Sequence, residues 1–238
     1  MHLFSIAFGL LAFVTGKWES APFVPLPNAF RAHPSIYIVA TAQSHGPVLA
    51  GPMRLHGAGP NLIGDVPGDS AIPKFAVLQP ALASALARDG WREAGAKEMP
   101  GVVVDCHWGI SSDITYAGPP LDQINFLTRA ALVAGEDFAF ALQQAIRSGP
   151  AGLGGFEADP RKSWLVDDAN RDQIFLVLRG YAVDSQGRIA EKPAWRLSLT
   201  TPWRGIKTRE AFDVFLTLIP DYLGRSLPGP DRLARRLL

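Results

Sequence analysis

Residues 174–184 (IFLVLRGYAVD) and 194–201 (AWRLSLTT) decide the fold. Both runs are rich in β-branched, aromatic and leucine side chains, which fit a pleated and buried surface. Between them, residues 185–193 (SQGRIAEKP) are polar and include Gly187 and Pro193. Two strands joined in this way predict an antiparallel hairpin with a loop longer than the minimal two residues.

Working outward, residues 102–108 (VVVDCHW) predict a further strand. Alternation puts Val102, Val104, Cys106 and Trp108 on one face and Val103, Asp105 and His107 on the other. Residues 36–41 (IYIVAT) predict another strand, and the stretch 46–73 is dense in glycine and proline. It reads as loops around short strands near 53–56 and 61–63. Helical spacing appears at Phe75, Leu78, Leu82 and Leu86, among alanines and ahead of Gly90, a natural C-terminal stop. Residues 121–146 predict helix, with Glu136 or Asp137 opening a second segment through Phe138, Leu142 and Ile146. Residues 149–155 (GPAGLGG) read as a loop. Thr208 is expected to cap a last helix with Phe212, Phe215, Leu216 and Ile219 on one stripe and Pro220 at its end. The irregular order of strands and helices predicts an α+β fold, a largely antiparallel sheet with helices packed on one face.

The ends of the chain read differently. Residues 3–14 (LFSIAFGLLAFV) are almost wholly apolar but too short for a spanning helix, which needs about 20 residues. Their length fits the apolar core of a secretory signal. The expected organisation is an apolar leader over 1–16, a Pro-rich linker over 17–34, one domain over 35–225 and a basic tail over 226–238. In that tail Arg232, Arg235 and Arg236 alternate with leucines, a pattern that can suit anionic lipid but more often marks a frayed or docked terminus.

Charge and cysteine content remove several classes. A formal net charge of +1 leaves no basic field for phosphate backbones, so nucleic acid is not an expected partner. Cys106, the only cysteine, can make neither an internal disulfide nor a cysteine-rich zinc site, and no disulfide-linked partner is expected. His33, His45 and His56 lack the spacing of a helical metal site, so no metal and no other cofactor is expected. The Gly-rich runs at 57–68 and 149–155 lack the lysine of a phosphate loop. Residues 109–113 (GISSD) miss the second glycine of a nucleophile elbow. What remains for catalysis is Asp105 with His107, placed on one strand face where a carboxylate orients an imidazole. Cys106 faces away from that pair. Trp195, Tyr181 and Trp203 around the hairpin are expected in the core rather than on a binding face.

Residues 81–105 (ALASALARDGWREAGAKEMPGVVVD) resemble a stretch common in a family of small bacterial envelope lipoproteins, a domain of unknown function. The Trp195-Arg196 step and residues 219–225 (IPDYLGR) are similar to the C-terminal half of that family. The resemblance implies an α+β domain in the periplasm or at the outer membrane. It carries over no catalytic residues, and Lys17 stands where the family has its lipidation cysteine. The expectation is therefore a non-enzymatic envelope protein, an interaction or structural module whose partner is an envelope protein or the membrane surface. The alternatives are a hydrolase or small-molecule-binding enzyme built around Asp105 and His107, and a cytoplasmic domain whose apolar N-terminus is core.

Overall fold

The computed structural model describes residues 35–45, 50–57, 59–64, 66, 72–112, 121–203 and 206–236. The expected leader and linker, with His33 and Lys17, lie outside the described residues, as does Asp113. Eight strands are present among the described residues: β1 (Ser35–Ser44), β2 (Pro52–Gly57), β3 (Asn61–Ile63), β4 (Arg92–Glu93), β5 (Val102–Ser111), β6 (Gln173–Ala182), β7 (Trp195–Pro202) and β8 (Asp231–Arg236). Six helices accompany them: α1 (Phe75–Ala87), α2 (Leu121–Ala134), α3 (Glu136–Arg147), α4 (Gly149–Glu157), α5 (Pro160–Ala169) and α6 (Thr208–Tyr222).

The strands form one sheet in the order β4-β2-β5-β6-β7-β1-β8, with β3 also paired to β5. From β5 through β8 every pairing is antiparallel, including the expected β6–β7 hairpin. On the other side of β5 the short strands β2 and β3 run parallel to it. The fold is α+β with a largely antiparallel sheet.

Helices cover both faces of that sheet rather than one. Along β6, Ile174, Leu176 and Leu178 join the main core with residues of α1 and α6, including Leu82, Leu86, Phe212 and Phe215. The intervening Phe175 and Val177 pack on the opposite face with Leu132 of α2. On β1, Val39 meets Val133 of α2 and Leu165 of α5, while Ile38 and Ala40 turn to the main core. A strand apolar at consecutive positions is the mark of coverage on both sides. The unbroken IFLVL run carries that mark.

Further expectations are corrected. Residues 149–155 are not a loop but part of α4, where Pro150 occupies the first turn, a place that needs no intrahelical N–H. Leu153 and Phe156 of that helix pack with Leu142 of α3 and Val166 of α5. Most of the basic tail is β8, antiparallel to β1 with Arg232 opposite Val39. The cap of α6 is Lys207, not Thr208, and its N–H donates to Glu210 Oε2 at 3.4 Å. Pro220 lies inside that helix. Nor does a carboxylate cap α3: Gly135, at φ +92°, makes the break before Glu136.

The stop of α1 follows expectation. Gly90 adopts φ +82° and the Trp91 N–H returns to the Leu86 carbonyl at 3.3 Å. Among the described residues no helix is long and apolar enough to cross a membrane.

Candidate functional site

The alternation of β5 determines what its side chains meet. Val104, Cys106, Trp108 and Ile110 are buried under α1 and α6, which leaves Asp105 and His107 on the other face. There the α2–α5 layer lies over β1, β7 and part of β6, and the side chains of Asp105 and His107 stay 22% and 32% exposed. The strand pattern therefore brings the two candidates together, as expected.

The third member comes from a distant part of the chain. Parallel pairing sets His56 of β2 directly beside Asp105. His56 Nδ1 lies 3.0 Å from Asp105 Oδ1, and His107 Nε2 lies 2.5 Å from Asp105 Oδ2. With Asp105 ionised, the ring nitrogen facing each oxygen carries the hydrogen and donates it. His107 Nδ1 is then the acceptor for Asn61 Nδ2 of β3, at 3.4 Å. His56 Nε2 points away from the carboxylate on a ring whose side chain is 65% exposed.

The Asn61 contact depends on how closely β3 lies against β5. A Cβ at Gly109 would stand 1.8 Å from the Asn61 carbonyl oxygen, so only glycine lets β3 approach β5 here. The approach sets Asn61 across from Gly109, two residues along β5 from His107.

The same row continues over the sheet. Asp105 is opposite Arg179 on β6, and Arg179 is opposite Arg196 on β7. Glu136, at the start of α3, joins the two arginines: its Oε1 lies 2.7 Å from Arg196 Nη1 and 3.8 Å from Arg179 Nη2. Burial pulls the Arg196 pKa below its ordinary value against the opposing pull of Glu136. Burial pushes the Asp105 pKa upward, but the His56 hydrogen bond and the His107 charge and hydrogen bond outweigh it. Asp105 is thus held below the usual carboxylate range.

The other candidates fall elsewhere. Cys106 is buried in the main core, where desolvation pushes its thiol up to about 12, with the Asp105 charge adding to the effect. Such a thiol is not a nucleophile at neutral pH. Ser111 is fully buried six positions along β5 from Asp105, roughly 20 Å at the rise of an extended strand. The Ser112 hydroxyl donates to Asp172. His45 is exposed beyond β1. Trp195 is core, packed edge-on to Trp91 at 6.1 Å, while Tyr181 and Trp203 are half-buried. Among the described residues no group of three or more His, Cys, Asp or Glu has the geometry to hold a metal ion.

Chemically, His56–Asp105–His107 can orient two imidazoles and leave one basic nitrogen in solvent. Sequence reasoning found Asp105 and His107 but placed His56 only as one of several scattered histidines. The parallel pairing that joins it to Asp105 leaves no local signal.

No protein-family model matches the chain, and no curated protein matches it. Among solved structures it is similar to the PelC dodecamer from Paraburkholderia phytofirmans, at 12% identity and a TM-score of 0.31, over 79% of this chain and 99% of that one. A likeness of that degree supports no statement about what this chain does.

Proposed function

We propose that this chain is a non-enzymatic bacterial envelope protein, exported by its apolar N-terminal segment and acting as an interaction module for another envelope protein. The observation that carries the reading is the polar row from His56 through Asp105 to Arg179, anchored at its inner end by the nearly buried Arg196. Its carboxylates are already engaged within the row: Asp105 by both histidines, Glu136 by both arginines. Side chains tied to one another on a sheet face form a shaped, mixed-charge surface suited to recognition. The apolar run 3–14 and the resemblance of residues 81–105 and 219–225 to envelope lipoproteins support the location.

The test is fractionation of the full-length protein in a bacterium, with the mass of the mature chain determined. The expected result is recovery in the envelope fraction, either cleaved or membrane-bound. Recovery as a soluble cytoplasmic protein with residues 1–14 intact would overturn the proposal and make the N-terminus core.

One observation favours a second reading. The exposed Nε2 of His56, on a ring oriented by Asp105, has the arrangement of a general base. If that base serves a hydrolase, an activated ester is cleaved by the wild-type chain and not by His56→Ala or Asp105→Asn. Equal turnover by all three removes the reading.

A further inference from the structure

The sheet face that the α2–α5 layer leaves open carries an arginine with no counterion. Met53 and Leu55 of β2 are buried in the main core, so Arg54 and His56 point to the open face, where both are exposed. They stand two residues apart, roughly 7 Å along the strand at the usual rise. The register sets Val103 and then Tyr181 beside Arg54, and Asp105 and then Arg179 beside His56.

The other charges around this face have partners. On β4, Arg92 is held by Glu98. On β6 and β7, Arg179 and Arg196 share Glu136 of α3. On β5, Asp105 accepts from both His56 and His107, and β3 contributes the neutral Asn61. Among the described residues Arg54 has no carboxylate partner.

His56 can change what it offers without moving. Its Nδ1–H stays on Asp105, while a proton gained at the exposed Nε2 turns that atom from an acceptor into a charged donor. His107 has no such freedom, because its Nδ1 meets the Asn61 amide, which would have to turn over. Histidine is the side chain that makes this change between pH 5 and 8. On the acid side of it, Arg54 and His56 present two cationic donors side by side. Carboxylates complement such a pair through charge-assisted hydrogen bonds. A sheet face is flat, whereas a small molecule needs a concave site to be held. A carboxylate borne on a protein segment can instead gain contact along Val103 and Tyr181.

We propose that Arg54 and protonated His56 form a carboxylate-recognition pair through which this sheet face binds an acidic segment of a partner protein, more tightly as the pH falls. The proposal rests on the reading of this row as an interaction surface, and not on the envelope location. Its pH dependence is opposite to that of a general base, which needs Nε2 of His56 unprotonated.

The test is calorimetry of full-length chains with octaglutamate and octalysine peptides at pH 5.5 and pH 8, in low salt so that screening is weak. Glutamate side chains remain ionised at the lower pH. Octaglutamate should bind wild type at least threefold more tightly at pH 5.5 than at pH 8. Arg54→Glu should weaken binding at pH 5.5 at least fivefold. Arg161→Glu, the same charge change at an exposed position on α5, should bind as wild type does. His56→Gln should lose the gain at acid pH. Equal weakening by the two arginine variants, an acid gain that survives His56→Gln, or no binding of octaglutamate overturns the proposal. Octalysine binding that Arg54→Glu strengthens would overturn the acidic partner and leave the interaction surface standing. Binding of neither peptide would overturn both.

Discussion

Gly180→Ala measures how tightly the hairpin is packed. In the native sheet the indole of Trp195 lies across Gly180, so an added Cβ would be 2.1 Å from Cε2 and 2.2 Å from Nε1 of that ring. Ordinary carbon contacts begin near ~3.5 Å, so the ring must retreat by more than about 1 Å. Trp195 is 1% exposed and packed against Trp91, itself 3% exposed, so there is no solvent to retreat into. Overpacking of this kind costs about 1–3 kcal/mol. Against it, alanine is favoured over glycine inside a strand by roughly 0.5–1 kcal/mol. The net expectation is a loss of about 1–2 kcal/mol, or a melting temperature lower by about 2–8 °C for a domain of this size. The assay is urea and thermal unfolding in a double-mutant cycle with Trp195→Leu. That second change lowers stability by itself but removes the ring, so Gly180→Ala should then be neutral or stabilising. A Gly180→Ala penalty that persists unchanged beside Leu at position 195 would refute the reasoning, since the clash would not be its source.

Three further outcomes follow from the same geometry. Gly109→Ala places its Cβ against a backbone carbonyl that no rotamer can move, so it should cost about 3 kcal/mol, the upper end of the overpacking range, and raise amide exchange in β3; wild-type protection there would contradict the close approach. Asp105 has a lowered folded pKa, so its contribution is fully present above the unfolded carboxylate value near ~3.9 and is lost as pH falls through the lower folded value. Asp105→Asn should therefore flatten the acid limb of the stability–pH curve, and an unchanged limb would mean that the histidines do not hold the carboxylate. With its thiol pushed up to about 12, Cys106 should resist alkylation in the native protein at pH 8 and react only on unfolding, whereas rapid stoichiometric labelling would show that β5 opens.

What the sequence disclosed depended on whether its signals were local. Period-two alternation along 102–108 was enough to separate Cys106 from Asp105 and His107, because neighbours on a strand cannot share a face. The hairpin, α1 with its Gly90 stop, and the paired helices α2 and α3 were legible for the same reason. His56 was not, since the contact that gives it meaning spans 49 residues and arises from a parallel pairing that no turn announces. The run GPAGLGG has loop composition and becomes helix only because α3 and α5 hold it from either side. For β8 the obstacle was a competing pattern: arginines alternating with leucines have the composition of an interfacial tail or a docked terminus, and only the pairing with β1 makes the segment a strand. Coverage of both sheet faces was written in IFLVL, but a single-face reading of the helices passed over it.

The position of β1 has a consequence for how the protein is made. It lies between β7 and β8, so its first permanent neighbour begins at Trp195, 160 residues after Ser35. At a synthesis rate of about 5–20 residues per second, the ribosome takes roughly 8–32 s to supply that neighbour. Throughout the interval an apolar strand is out in the open with both edges bare, while β2 to β6 are able to assemble without it. A nascent chain of this design cannot finish its sheet domain by domain as it emerges. Its first strand joins the sheet only when nearly all of the chain exists.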